Sequence, residues 1–471
     1  MAMLGKRRPA RRRSGVSGLQ RRPGEGPPAP SADEAAVNIE RLAHDGRGVA
    51  RGADGKTLFV DGALPGERVE VAVHRTRKRF DEAHVRALLE PAAERVAPPC
   101  AYYGQCGGCD LQHLAVAAQR EHKREVLVEL LQREGIELTE PPEVLVGEPL
   151  GYRRRARLGV KVDAEGRVHL GFRARHASRL VDIETCKVLQ PGLSALLEPL
   201  RELLGELEAP RLVGHLELIA ADSRRALVVR QLRDNRVDLQ RWRAFGEAND
   251  VAVACLLGRE APTLEWLGEV PRLGYRLPAG DAGLELGFAP GDFVQVNGEV
   301  NRQLVATARQ WLAPVAGRRV LDLFAGIGNF GLPLASDGAR VTAAEGNPAM
   351  VSRLEINAGR NGLDIEALQL DLNDRAAVAE LLAHLAPEAV VLDPPRDGAD
   401  AVCRALIERP VPRLVYIACD PATLARDAAR LVHGGYRITR VAVADMFVHT
   451  SHLESLLLLE HGATQPSSQG A

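Results

Sequence analysis

The sequence predicts an α/β multidomain chain: a Rossmann-like open sheet in the C-terminal third, a small β-barrel near the N-terminus and an α+β region between them. Three observations carry this. Two apolar runs, Ala389-Val390-Val391-Leu392 and Leu414-Val415-Tyr416-Ile417, run into the tetrads Asp393-Pro394-Pro395-Arg396 and Ala418-Cys419-Asp420-Pro421. A glycine-rich turn, Leu321-Asp322-Leu323-Phe324-Ala325-Gly326-Ile327-Gly328-Asn329-Phe330-Gly331, follows a short apolar run upstream. The length, 471 residues, is too great for one core and suits about three domains.

Residues 1–32 form a basic arm. Within residues 1–30 eight Lys/Arg face a single acid, Glu25, amid Gly and Pro. Such a segment cannot bury a core and is expected to be disordered. It lacks the apolar stretch of a secretory signal, and no run approaches the roughly 18 apolar residues of a membrane span. A cytoplasmic protein with no membrane contact is expected. Net charge is -1, so overall charge names no partner.

Residues 33–92 read as a small oligonucleotide-binding (OB)-like barrel. Thr57-Leu58-Phe59-Val60 is one strand, Val69, Val71 and Val73 alternate along a second, and His84 to Leu89 is a third. Asp45-Gly46 and Asp61-Gly62 mark turns. Gly46-Arg47-Gly48-Val49-Ala50 and Gly62-Ala63-Leu64-Pro65-Gly66-Glu67 resemble the TRAM module, which implies RNA binding. Arg75, Arg77, Lys78 and Arg79 make a basic stripe at its edge.

Residues 93–290 form the central α+β segment. Cys100, Cys106 and Cys109 stand in a C-x5-C-x2-C pattern among glycines, and Cys186 is the nearest candidate fourth thiol. Four thiolates suit structural zinc or an iron–sulfur cluster, and spacing leaves both open. Cys255 and Cys403 read as inert. His113 to Glu134 reads as a charged amphipathic helix with Leu114, Ala117, Ala118, Val126, Leu127, Leu130 and Leu131 as its apolar positions. Residues 151–180 hold nine Lys/Arg against Asp163 and Glu165, with Tyr152, Phe172 and His176 interleaved. That mixture suits phosphate contact with base stacking; a solvated strand face is the alternative. Residues 190–285 carry no legible chemistry.

Residues 291–461 form the Rossmann-like domain. In an open α/β sheet, ligands bind beyond the carboxyl ends of the strands, so Asp393 and Cys419 are expected to project into one crevice. A thiol there can act as a covalent nucleophile; a small buried strand cysteine is the plain alternative. Glu345 follows Gly326 by 19 positions, near the distance expected of an acid that grips ribose hydroxyls. Asp322 precedes the turn and no Gly-Lys-Ser/Thr loop is present. That favours S-adenosylmethionine (SAM) over a dinucleotide or a nucleoside triphosphate. Residues 462–471 are a polar tail.

The segment from Phe293-Val294-Gln295-Val296-Asn297 to Glu454 resembles the catalytic domain of the RNA uracil-C5 methyltransferases. It carries in order their FxQxN, DLFxGxGxF, Asp-Pro-Pro-Arg and Cys-Asp-Pro blocks and the Glu of His452-Leu453-Glu454-Ser455. The resemblance implies that Cys419 adds to C6 of uracil and that Glu454 removes the C5 proton. It places Gln295, Phe324, Asn329, Glu345, Asp371 and Asp393 at SAM contacts. Phe293 is either a platform for the flipped base or a core residue. The cysteine pattern and TRAM segment point to the branch acting on uracil 1939 of 23S rRNA. They also imply a 4Fe-4S cluster on Cys100, Cys106, Cys109 and Cys186. In the family, part of the region around residues 113–134 packs on the catalytic domain, so the domains are expected to interleave. The expected enzyme is a monomer with 23S rRNA as its partner. The alternatives are a tRNA uracil-C5 methyltransferase, a 23S rRNA methyltransferase acting at another uridine, a non-catalytic RNA-binding protein and a redox protein using the cluster.

Overall fold

The computed structural model describes residues 36–280 and 283–462. The basic arm 1–32 and the tail beyond residue 462 lie outside these. The first unit is a six-stranded sheet of β1 (Ala36–Asn38), β2 (Arg41–Leu42), β3 (Gly48–Arg51), β4 (Thr57–Asp61), β5 (Arg68–Thr76) and β6 (Phe80–Glu90), in the order β1-β5-β6-β4-β3-β2. Its core is Ile39, Ala50, Leu58, Val60, Val69 and Ala83. The expected apolar face of β5 holds at Val69 but fails at Val73, which is 51% exposed. The β5–β6 ladder slips between Val73 and Arg75, and the hairpin runs beyond the core. Glu67, fully buried, ties the unit to the rest: its carboxylate accepts from Arg95 Nη2 (2.8 Å) and from the Leu64 (2.7 Å) and Ala92 (3.3 Å) amides.

Next come α1 (Val116–Arg133) and β7 (Glu143–Leu145). By sequence they fall in the central segment, but Val126, Leu127 and Leu131 join the core of the C-terminal sheet and β7 pairs with its edge. The buried side of α1 holds the expected Val126, Leu127 and Leu131 but is wider than expected. Gln119, His122 and Lys123 are buried too and Ala117 is exposed; Gln119 and Lys123 meet polar groups of the C-terminal domain, while His122 faces Ala43 of the first unit.

The central sheet comprises β8 (Arg155–Val162), β9 (Val168–Arg173), β10 (Leu180–Asp182), β11 (Val213–Ala220), β12 (Arg225–Gln231), β13 (Ala252–Leu257) and β14 (Thr263–Trp266), ordered β10-β9-β8-β11-β12-β13-β14. Helices α2 (Pro191–Ser194), α3 (Leu197–Glu206) and α4 (Arg236–Asn249) accompany it. Leu158, Leu200, Trp242 and Cys255 fill the core between them. The hairpin β15 (Gly274–Leu277) and β16 (Leu284–Gly287) packs into the C-terminal core through Tyr275 and Leu286, so that core begins ahead of residue 291.

The C-terminal domain runs α5 (Gly298–Leu312), β17 (Arg319–Leu323), α6 (Gly331–Ser336), β18 (Arg340–Glu345), α7 (Pro348–Arg360), β19 (Ile365–Gln369), α8 (Arg375–Leu385), β20 (Ala389–Leu392), α9 (Asp400–Glu408), β21 (Arg413–Ala418), α10 (Pro421–His433), β22 (Tyr436–Ala444) and β23 (Glu454–His461). The sheet order is β19-β18-β17-β20-β21-β23-β22-β7. From β17 to β21 all pairings are parallel, and β23 runs antiparallel to both neighbours. The apolar runs before the two tetrads are fully buried strands, as parallel strands covered on both faces must be. The chain leaves β17 for β18 and β19 and returns on its other side as β20. That reversal is the switch point at which open α/β sheets bind ligands.

Candidate active site

Three strand ends meet beside the switch point. Asp393 follows β20, Cys419 follows β21, and Glu454 begins β23. Ala418 pairs with Ser455, so Cys419 stands beside Glu454 just past the end of the ladder. Asp420 caps α10 by accepting from the Thr423 amide (2.9 Å), which fixes where the chain turns after Cys419. Glu454 is 3% exposed. Burial and the charge of Asp393 hold its carboxyl well above the usual range. Burial likewise pushes Asp393 up to about 7. Burial and the charges of Glu454 and Asp393 push the Cys419 thiol up to about 11, while the Arg396 guanidinium pulls it down. Crowding a thiol and two carboxyls out of water disfavours the charged form of each, and ionising one makes ionising its neighbours harder.

The cofactor side is built on the glycine turn. Phe324 adopts φ +60°, a conformation rare for a residue with a side chain, and aims the chain into the turn. Gly326 has φ +55°, and a Cβ there would meet nothing within 4 Å. The glycine keeps open space beside the backbone. Glu345 accepts from the Gly326 (3.0 Å) and Asn347 (2.8 Å) amides, one on each oxygen, which leaves its other lone pairs free. Asp322 Oδ2 accepts from the Gly331 amide (2.8 Å), while its buried Oδ1 has no protein partner. Open space and an orphaned acceptor beside a free-facing carboxylate fit a polyhydroxylated, cationic cofactor such as SAM.

The remaining expected contacts are placed less uniformly. Gln295 is buried and Asp371 is exposed just past β19, where it accepts from the Asn373 amide (2.9 Å). The Asn329 side chain is engaged by protein: its Oδ1 accepts from Tyr275 Oη (2.9 Å) and Asn301 Nδ2 (2.9 Å), and its Nδ2 donates to Asn301 Oδ1 (3.0 Å). Phe293 is 69% exposed, which rules out the core alternative.

The comparisons with known proteins agree with this geometry. Residues 115–462 match the family model described as tRNA (Uracil-5-)-methyltransferase, and residues 33–85 match the TRAM domain. The chain belongs to this RNA uracil-C5 methyltransferase family. The 23S rRNA (uracil(1939)-C(5))-methyltransferase RlmD of Halomonas elongata is 60% identical over 100% of this chain and 99% of its own. That of Chromohalobacter salexigens is 58% identical over 98% of this chain and 96% of its own. Among solved structures, the Pyrococcus abyssi tRNA (uracil-54, C5)-methyltransferase in complex with S-adenosyl-L-homocysteine is 25% identical, with a TM-score of 0.71 over 90% of this chain and 100% of that one. The chain therefore has the SAM-dependent methyltransferase fold with an N-terminal TRAM domain, and the activity of an RNA uracil-C5 methyltransferase.

In this methyltransferase Cys100, Cys106, Cys109 and Cys186 line one cavity of about 220 Å³, together with Arg153 and Lys187. Among the described residues no three His, Cys, Asp or Glu side chains are gathered tightly enough to hold a single ion. Burial first, then the neighbouring thiols, raises Cys106, Cys109 and Cys186, with Cys109 reaching about 12. Cys255 and Cys403 are fully buried in apolar cores, as expected of inert cysteines.

The basic stretch 151–180 proves to be partly structural. Arg154 is 5% exposed and its guanidinium lies over Gly298, where a Cβ would come within 1.6 Å of Nη2. Arg155 pairs with Glu217 (2.6 Å) and Arg175 with Asp61 (3.3 Å). Tyr152 is buried and donates to the Val448 carbonyl (3.0 Å), so it offers no stacking face. Arg157, Lys161, Arg173 and Arg179 remain exposed, as do Arg75, Arg77, Lys78 and Arg79 on the first unit.

Sequence reasoning missed the polar frame behind Glu454. Lys123 Nζ donates to Asp445 Oδ1 (2.7 Å) and the Phe447 carbonyl (2.9 Å), and Arg120 Nε to Asp445 Oδ2 (3.0 Å). Gln119 holds His449 through its amide and ring. These partners lie more than three hundred positions apart, and no local pattern marks them.

Proposed function

We propose that this chain methylates C5 of uracil 1939 in 23S rRNA, using SAM and a covalent bond between Cys419 and uracil C6. The observation that carries the reading is the placement of Cys419, Asp393 and Glu454 at the ends of three neighbouring strands. C5 of uracil is a poor nucleophile. Cys419 first gives up its thiol proton to solvent; when the thiolate sulfur adds to C6, the C5–C6 electron pair shifts onto C5 and the O4 carbonyl, and C5 becomes nucleophilic. SAM, when bound, supplies an electrophilic methyl group. Glu454, in its ionised form, then takes the C5 proton, the C–H pair re-forms the double bond, and the Cys419 thiolate leaves. Asp393 stands between cofactor and base and holds the uracil edge. Glu345 faces the cofactor ribose and Asp371 its adenine side, with Gln295, Phe324 and Asn329 completing the pocket. For Asn329 the backbone is the free contact, since its side chain is engaged.

The same reading assigns a 4Fe-4S cluster to Cys100, Cys106, Cys109 and Cys186. A cavity of about 220 Å³ lined by all four thiols, with Arg153 and Lys187 to offset negative charge, supports it over a single zinc ion. Anaerobically purified protein should contain about four irons and four sulfides per chain; stoichiometric zinc without sulfide would decide for zinc.

The choice of 23S rRNA rests on the names of the 60% and 58% identical relatives. The structural likeness to a tRNA enzyme is the observation favouring the second reading. One chain supplies every group the reaction uses, consistent with a cytoplasmic monomer, and among the described residues no helix is long and apolar enough to cross a membrane. Mapping 5-methyluridine in RNA from a deletion strain tests the function. Loss from 23S rRNA, restored by the wild type and not by Cys419→Ala, is expected. Loss from tRNA alone would establish the second reading.

A further inference from the structure

Glu454 does not set its own position. It opens β23 after a nine-residue loop, 445–453, that leaves β22 at Ala444. Ala444 pairs with Glu454, so the loop starts and ends at one level of the sheet. The first half of the loop is fastened to α1 through Asp445, Phe447 and His449. The half nearest Glu454 is fastened to the cysteine segment. Asp110, the residue after Cys109, accepts from the Ser451 amide on Oδ1 (2.8 Å) and from the Ser451 hydroxyl on Oδ2 (3.0 Å). The Asp110 and Leu111 amides both donate to the His449 carbonyl (3.0 Å each). His449 itself adopts φ +68°, a conformation that outside contacts must hold. Val448 packs with Tyr152 beside Cys109 and Cys186. Ser451 is three residues before Glu454, and the Asp110 carboxylate spends both oxygens on it.

From this geometry we infer that Asp110 is a positioning residue for the proton-abstraction step: it carries the shape of the cysteine segment to Glu454. The inference rests on the proposed function, in which Glu454 accepts the C5 proton. Cys419 is carried by β21 and by the Asp420 cap of α10, whereas the hydrogen bonds of Asp110 go to His449 and Ser451. Loss of the Asp110 clamp therefore leaves addition to C6 and methyl transfer intact and slows only the step that frees the enzyme. A displacement of about 1 Å at a catalytic group costs on the order of a hundredfold, so release is the step that suffers.

The test compares the wild type with Asp110→Ala, Asp110→Asn and Ser451→Ala on a 23S rRNA fragment carrying ordinary uridine. Two quantities are read: methyl groups transferred in the first turnover, and enzyme–RNA adduct resistant to denaturant. Asp110→Ala is expected to transfer about one methyl per enzyme at near wild-type rate, then stall as the adduct, with steady-state turnover down at least about tenfold. Asp110→Asn keeps an oxygen for the Ser451 amide and should restore most of the turnover. Ser451→Ala, remote from the cysteines in sequence, should stall partially. Parallel loss of first turnover and steady state in Asp110→Ala and Ser451→Ala, with no adduct, would overturn the positioning role. Wild-type enzyme that forms no adduct with 5-fluorouridine RNA would instead overturn the covalent mechanism, and the positioning role with it.

Discussion

Burial and two carboxyl neighbours push the Cys419 thiol up to about 11 in the free protein. The thiolate is the nucleophile, so its fraction grows with pH until the medium passes that value. The rate of adduct formation on 5-fluorouridine RNA should therefore climb from about pH 6 to about pH 9, by close to tenfold per unit. Arg396→Ala removes the one charge that pulls the thiol down, so its profile should shift to higher pH and its rate at pH 7.5 should drop. A rapid-quench series measures both; a flat profile contradicts the assignment. Glu454→Gln keeps the shape and removes the base, so adduct should accumulate on ordinary uridine RNA, visible as a shifted band under denaturing conditions. Loss of RNA binding without adduct would mean that Glu454 serves placement. Asp393 and Cys419 could be placed at one crevice from sequence because each ends an apolar run, whereas Glu454 came only from the family resemblance. The proton arrangement among them was not legible, since it depends on desolvation by residues distant in sequence. The same reason hid the engagement of Asn329 by Asn301 and Tyr275.

At the scale of elements, the strands were easier to read than α1. A fully buried strand is a continuous apolar run, and β20 and β21 are such runs. Helix α1 read as a charged amphipathic helix buried only through its apolar positions, because Lys123 and Gln119 are polar whichever way they face. Lys123 is fully buried against Asp445, and removing one partner of a buried ion pair leaves an uncompensated charge. Lys123→Met should destabilise the protein by about 3–5 kcal/mol. Adding Asp445→Leu should recover most of the loss, since Arg120 is part-exposed and can turn to water. Denaturant midpoints measure both; additive losses would show that the pair contributes nothing as a pair. The placement of α1 and β7 on the C-terminal sheet explains why no clean boundary separates the central segment from the catalytic one.

At the scale of the whole molecule, affinity for RNA is expected to come from the exposed cations of the TRAM domain and the central sheet. Composition overstated that surface: of the nine basic residues in 151–180, Arg154, Arg155 and Arg175 are spent on packing or ion pairs within the protein. Arg77, Lys78 and Arg79 sit exposed at the tip of the β5–β6 hairpin. Replacing all three with Ala should weaken RNA binding and flatten the log Kd against log salt plot, by about 0.7 per lost phosphate contact on single strands. SAM binding by calorimetry should stay unchanged, because the hairpin supplies none of the residues assigned to the cofactor. An unchanged salt slope would place the RNA elsewhere. The central claim, that Cys419 joins covalently to uracil of 23S rRNA, is tested most directly by trapping. A folded 23S rRNA fragment with 5-fluorouridine at position 1939 is incubated with SAM and enzyme, digested, and read by tandem mass spectrometry. The account predicts a methylated fluorouridine attached to the peptide containing Cys419; attachment at another residue, or none with 23S rRNA while a tRNA is trapped, would contradict it.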